Sequence, residues 1–178
     1  MISLGVRLVL PVADAVWTRD MELEIAPFPG LAIRVDTYEV LNVVSVRVPE
    51  TGGRVRCVIG PDADSGPKSE SGAAAFGFAP ERADGGSADT DSGAECGLSV
   101  LLVTNAADQM WCKQIRLPFA PFGGLQVEVG AHVLNVFSVV VKDDLSDITC
   151  LASFEGDDAA RLTEDDCLAL GLEECVYP

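Results

Sequence analysis

The amino-acid sequence predicts a mainly β fold made of two tandem copies of one small five-stranded unit, with one short helix in the C-terminal tail. Three observations carry this. A block at Trp17 to Leu31, WTRDMELEIAPFPGL, returns 94 positions later as WCKQIRLPFAPFGGL, Trp111 to Leu125, with seven identities in fifteen and no gap. A second block is closer still: VLNVVSVRV, Val40 to Val48, matches VLNVFSVVV, Val133 to Val141, at seven of nine positions. Within the first block apolar and polar residues alternate, the period of a half-buried strand. Similarity at a nearly constant offset marks an internal duplication.

The elements follow in chain order. ISLGVRLVL, from Ile2, reads as the first strand. In the second, Trp17, Met21, Leu23 and Ile25 share one face, and Thr18, Asp20, Glu22 and Glu24 share the other. APFPGL then breaks the ladder, because Pro27 has no N–H to donate, and Phe28 is expected to plug the corner. Leu31, Ile33 and Val35 resume the alternation. VLNVVSVRV is apolar at both parities and rich in β-branched residues, which predicts a central strand buried on two sides. GRVRCVI closes the unit. The second copy repeats the series with LSVLLVTN, the Trp111 block, its APFGGL corner, VLNVFSVVV and DITCLASF, and Cys150 falls on Cys57.

These boundaries place unit 1 at residues 1–59, an acidic Gly/Ser/Ala-rich flexible linker at 60–97, unit 2 at 98–155 and an acidic tail at 156–178. About five strands in so short a stretch resembles a small barrel of the SH3-like or OB-like kind in size alone, and brings no function with it. A unit that small is marginal by itself. The copies are therefore expected to pack as an intramolecular pseudo-dimer, or to merge into one pseudo-twofold sandwich. In the tail, Thr163 is a good N-cap, acids at 164–166 suit a helix start, and Gly171 suits its end. This predicts a helix over about 164–170, with Leu168 and Leu172 facing the β core.

Composition narrows the function classes. The net charge is −16, but the linker and tail each carry a net of −6 and so hold most of it. That distribution fits solvated segments better than an organised nucleic-acid mimic. No Lys/Arg patch exists to neutralise phosphates, so no nucleic-acid partner is expected. No stretch has the roughly 18 apolar residues of a spanning helix, and no basic leader precedes the first strand, so neither a membrane partner nor export is expected. Six cysteines without a leader fit free thiols in the cytoplasm.

No cofactor, metal or catalytic residue is assigned. The single histidine and the absence of CxxC pairs do not make a zinc site. DADSG at Asp62 and DTDSG at Asp89 place glycine where a calcium loop needs a ligand. There is no P-loop, GxGxxG after a strand, GxSxG or HExxH. Trp17 and Trp111 offer stacking surfaces, but their register makes them core anchors. Asn42 and Asn135, amid hydrophobic residues, are expected as buried amides that hold a turn or meet across the pseudo-axis.

Duplicated units share what folding needs, so a single site is sought where they differ. This selects Tyr38 against His132, Arg47 against Val140, and Cys112 against Thr18. Phe76 and Phe78, in the linker's one apolar island, are candidates for docking on a lobe or for short-segment recognition. The reading is a non-enzymatic protein-binding protein. The alternatives are a small enzyme or small-molecule binder with its site between the copies, and a structural or assembly component.

Overall fold

The structure, a computed structural model, describes residues 3–35, 40–60, 67, 69–81, 97–141 and 147–175. Tyr38 and both calcium-like fragments lie outside them. The fold is mainly β, and the chain divides into two compact units. Unit 1 is Met1–Arg47 with Gly53–Asp91, and unit 2 is Val48–Gly52 with Ser92–Pro178.

In unit 1, β1 (Leu4–Val12) and β2 (Ala15–Leu23) form an antiparallel hairpin with Val12 opposite Ala15. The two-residue turn forces Ala13 to φ 51°, a left-handed conformation met in tight hairpins. β3 (Ala32–Arg34) pairs with β4 (Val40–Pro49), β4 with β5 (Val55–Gly60), and β5 runs parallel to β1. Val6, Leu8, Leu10, Leu41, Val46, Val55 and Cys57 are wholly buried, and Trp17 is nearly so. The core is thus the period-2 apolar set of these strands.

Unit 2 has the same pairings in the same order. β7 (Leu98–Ala106) and β8 (Gln109–Leu117) form the hairpin; β9 (Leu125–Val129) pairs with β10 (His132–Val141), β10 with β11 (Ile148–Phe154), and β11 runs parallel to β7. Trp111, Leu117, Leu125, Val127, Leu134 and Cys150 are buried.

Residues 60–97 contain more structure than a linker reading provides for. Ser69 caps α1 (Glu70–Ala75) by accepting the Gly72 N–H, Gly77 ends the turn at φ 76°, and β6 (Ala79–Pro80) adds to β2. Ala73 and Phe78 are buried. Arg19 donates to the Phe76 carbonyl at 2.8 Å and to that of Val35 at 3.1 Å, supplying positive charge at the helix's C-terminal end.

The tail of unit 2 repeats this arrangement 94 positions on. After a short helix α2 (Asp158–Arg161), Thr163 caps α3 (Glu164–Ala169) in a capping box with Asp166; Gly171 follows at φ 71°, and β12 (Glu173–Glu174) adds to β8. Cys167 and Leu172 are buried where unit 1 has Ala73 and Phe78. Lys113 takes the part of Arg19, donating to the Leu170 carbonyl at 2.5 Å. It also pairs with Glu50, whose carboxylate accepts the Gly130 N–H.

Four expectations are corrected. Leu168 is exposed; Cys167, one residue earlier, occupies the inward position, because the capping box sets the phase of so short a helix. Phe28 does not plug its corner and is 48% exposed, while Pro27 is buried instead. β4 and β10 are not buried on two faces. Each contains a β-bulge, between Val43 and Ser45 and between Val136 and Ser138, so buried residues change parity along β4 from Leu41 and Val43 to Val46. Apolar residues at both parities therefore record a shift of phase. Finally, Asn42 and Asn135 are half-buried, and the Asn135 Oδ1 accepts from Gln126 on the neighbouring strand at 2.9 Å.

On the outer face of unit 1, Asp20 binds Arg7 at 2.8 Å and Arg54 at 2.6 Å. The Arg7 hydrogen bond, more than the charges of Arg7 and Arg54, holds the Asp20 carboxyl below its ordinary value of 3.8 despite opposing desolvation. A lowered carboxyl stabilises the fold above its unfolded pKa, and the gain disappears as pH falls through the folded one. Asp20→Asn is expected to cost less than about 1 kcal/mol at neutral pH, since the groups are partly solvated, and progressively less at an acid pH below the ordinary value of 3.8. Chemical denaturation at the two pH values checks this; an equal loss at both would contradict it.

Candidate functional site

The Pro-Gly corner and the bulge that follows it are neighbours in both units. The Gly30 N–H donates to the Val43 carbonyl at 2.7 Å, and the Gly124 N–H to the Val136 carbonyl at the same distance. Both glycines have φ 90°, which an L side chain rarely adopts. Leu31 closes the turn onto the Phe28 carbonyl, and Leu125 onto that of Phe122. The extra residue in the bulge then points outward. In unit 1 that residue is Val44, 59% exposed, and in unit 2 it is Phe137, 64% exposed.

Other apolar side chains stand at the same corner. Ile25 and Phe28 are exposed in unit 1. In unit 2 the half-buried rings of Phe119 and Phe122 stack with centroids 6.2 Å apart, and exposed Val140 and Val141 continue along β10 beyond the bulge. Single exposed apolar residues are ordinary on protein surfaces; a group gathered by one backbone feature is a candidate contact surface. Chemically it offers apolar area and aromatic faces.

The residues singled out from sequence have separate surroundings. Arg47 is half-buried on β4, opposite Arg56 across the β4–β5 ladder, and Arg56 pairs with Glu81 at 2.9 Å. Phe76 is the half-buried C-cap of α1, and Phe78 is in the core of unit 1. The His132 Nδ1 lies 2.9 Å from the Asp158 carboxylate, with the ring edge-on to Phe154. This fastens α2 to the start of β10. The nearby Thr163 hydroxyl is already given to Asp166, which its hydrogen bonds hold below the usual carboxylate range. Cys112 is the diagonal neighbour of Cys175 across the β8–β12 pairing, and burial first, then the neighbouring Cys112, pushes the Cys175 thiol up to about 11.

Among the described residues no group of three or more His, Cys, Asp or Glu is placed to hold a metal ion, and no helix is long and apolar enough to cross a membrane. Two features escaped the sequence reading. The outward Val44 and Phe137 were hidden in strands that look uniformly apolar, although the parity change within them was visible. Cys175 is far from Cys112 in sequence, and only β12 brings it near. No family model matches the chain, and neither a curated protein nor a solved structure shows significant similarity to it.

Proposed function

We propose that the chain is a non-enzymatic protein-binding protein composed of two copies of one β unit, and that the corner-and-bulge surface is what it binds with. The observation that carries this reading is the outward Phe137 and Val44, held at the same backbone position beside the same Pro-Gly corner. A bulge that serves only to bend a strand has no need of a large apolar side chain facing water. The fitting partner is a protein that presents a complementary apolar patch.

The duplication is part of this proposal. It is supported by the repeated sequence blocks, by the common pairing order, and by Ser69/Thr163, Ala73/Cys167, Gly77/Gly171 and Phe78/Leu172 in like positions. On this reading the repeating unit extends through the helix and strand that follow the fifth strand. Two similar surfaces on one chain would also raise avidity for a partner able to engage both.

The test is affinity capture from the native cell with the wild-type chain, Phe28→Ser, Phe137→Ser and the double variant. Each single change is expected to weaken recovery of a common partner, and the double variant to reduce it at least about tenfold, as loss of an apolar anchor does. Thermal melting should be little altered, because both side chains are already exposed. Full recovery with the double variant sinks the surface assignment. No partner with any version, together with turnover in a metabolite screen, sinks the binding reading itself.

A further inference from the structure

Cys112 and Cys175 lie where the two units differ. They occupy the places of Thr18 and Glu81. In unit 1 the residue after β6 is fastened by the Glu81–Arg56 ion pair. In unit 2 that contact is replaced by thiols. β12 pairs with β8 with Glu173 opposite Cys112, and the Cys175 N–H donates to the Met110 carbonyl at 2.9 Å. Residues 173 and 175 share a face in an extended strand, which makes Cys175 the diagonal neighbour of Cys112 on one side of the ladder. Both residues are half-buried, whereas Cys57, Cys150 and Cys167 are fully buried.

We propose that Cys112 and Cys175 form a redox-responsive dithiol that closes into an intrachain disulfide by exchange with a low-molecular-weight disulfide, covalently fastening β12 to β8. The Cys175 thiol is pushed up and stays protonated at neutral pH, so Cys112 is the attacking sulfur. Its thiolate adds to one sulfur of the small disulfide; that S–S bond breaks, a mixed disulfide forms on Cys112, and the departing thiolate takes up a proton. Cys175 then loses its proton and attacks the Cys112 sulfur, and the second small thiol leaves with a proton. Two protein thiols are oxidised to one disulfide, and the small disulfide is reduced to two thiols. Burial, followed by the hydrogen bond to Cys112, pushes the Cys175 thiol up to about 11, so closure speeds up as pH rises toward that value. β12 has only two residues, so little structure resists the adjustment that a disulfide's geometry requires.

This inference does not depend on the proposed contact surface. Full-length protein is incubated with oxidised glutathione and mapped by mass spectrometry without reduction. The expected product is a Cys112–Cys175 cross-linked peptide, a mass lower by two hydrogen atoms, and reversal by dithiothreitol. Cys112→Ser and Cys175→Ser should each fail to cross-link, while Cys96→Ser should still close. Proteolysis within α3 and β12 should slow by about tenfold on closure, since opening of the segment is then restrained. The proposal is overturned by absence of the cross-link, by a persistent glutathione adduct on the wild type, or by linkage of either thiol to Cys96 or to another chain. Unchanged proteolysis after closure overturns the fastening.

Discussion

Replacing Trp111 by alanine is expected to cost about 3–5 kcal/mol, the range for removing a buried aromatic from a core that cannot collapse around the gap. Its side chain is 1% exposed, and its indole N–H donates to the Ala106 carbonyl at 2.9 Å. The sharper test compares the matched tryptophans. Trp17 is also buried, but among the described residues its indole N–H meets no acceptor. Trp111→Phe removes area and also the indole hydrogen bond to the Ala106 carbonyl, which adds about 0.5–1.5 kcal/mol. Trp17→Phe removes area while relieving an unsatisfied donor, so its net loss should be smaller. Denaturant unfolding of both variants reads the difference; a Trp17→Phe loss equal to or larger than that of Trp111→Phe would refute this account.

Phe78→Ala is expected to cost about 3–5 kcal/mol locally and to release α1 and β6 from unit 1. Phe78 is the main apolar anchor of that segment, with Ala73 beside it. The remaining ties are the Arg19 hydrogen bonds, the short β6 pairing and the partly exposed Arg56–Glu81 pair. Ion pairs of that kind contribute little by themselves. Leu172→Ala in unit 2 should release α3 and β12 at about 2–5 kcal/mol, with the capping box, Lys113 and any Cys112–Cys175 bond holding what remains. Limited proteolysis and hydrogen exchange over residues 69–81 and 163–175 distinguish the outcomes. If the wild-type chain is cut within 69–81 as readily as Phe78→Ala, the segment is not docked in solution.

The difference between linker and docked element explains how far the sequence could be read. Averaged over residues 60–97, the composition is that of a chain unable to bury itself. The exception is carried by a few residues: Ser69 as cap, Ala73 and Phe78 as inward contacts, Gly77 as the left-handed stop. Aligned with Thr163, Cys167, Leu172 and Gly171 they keep an N-cap, two inward positions and a stop, but almost no identities. The constraint lies in size, polarity and backbone angle, so a search for identical residues passes over it. The tail helix, with its acidic first turn and Thr cap, was readable because local propensity and capping agree there.

The candidate surface was harder still. Val44 and Phe137 look like core residues, and a side chain inside an apolar run gives no sign of its direction. The bulge decides that direction, and a bulge is a property of two strands paired together. Cys112 was singled out because Thr18 stands in its place, yet its partner could not be named, since Cys175 reaches it only through the β12–β8 pairing.

The sequence by itself determined the β class, the strand order with its repeated blocks, the tryptophan anchors and the capped helix. Each of these rests on local periodicity or on a contact between near neighbours along the chain. The tertiary structure alone decided which apolar residues face out at the two bulges, that residues 69–80 belong to unit 1, and that two distant thiols stand side by side. Those outcomes depend on pairing register and on competition for buried space between segments far apart in sequence, which no single segment encodes.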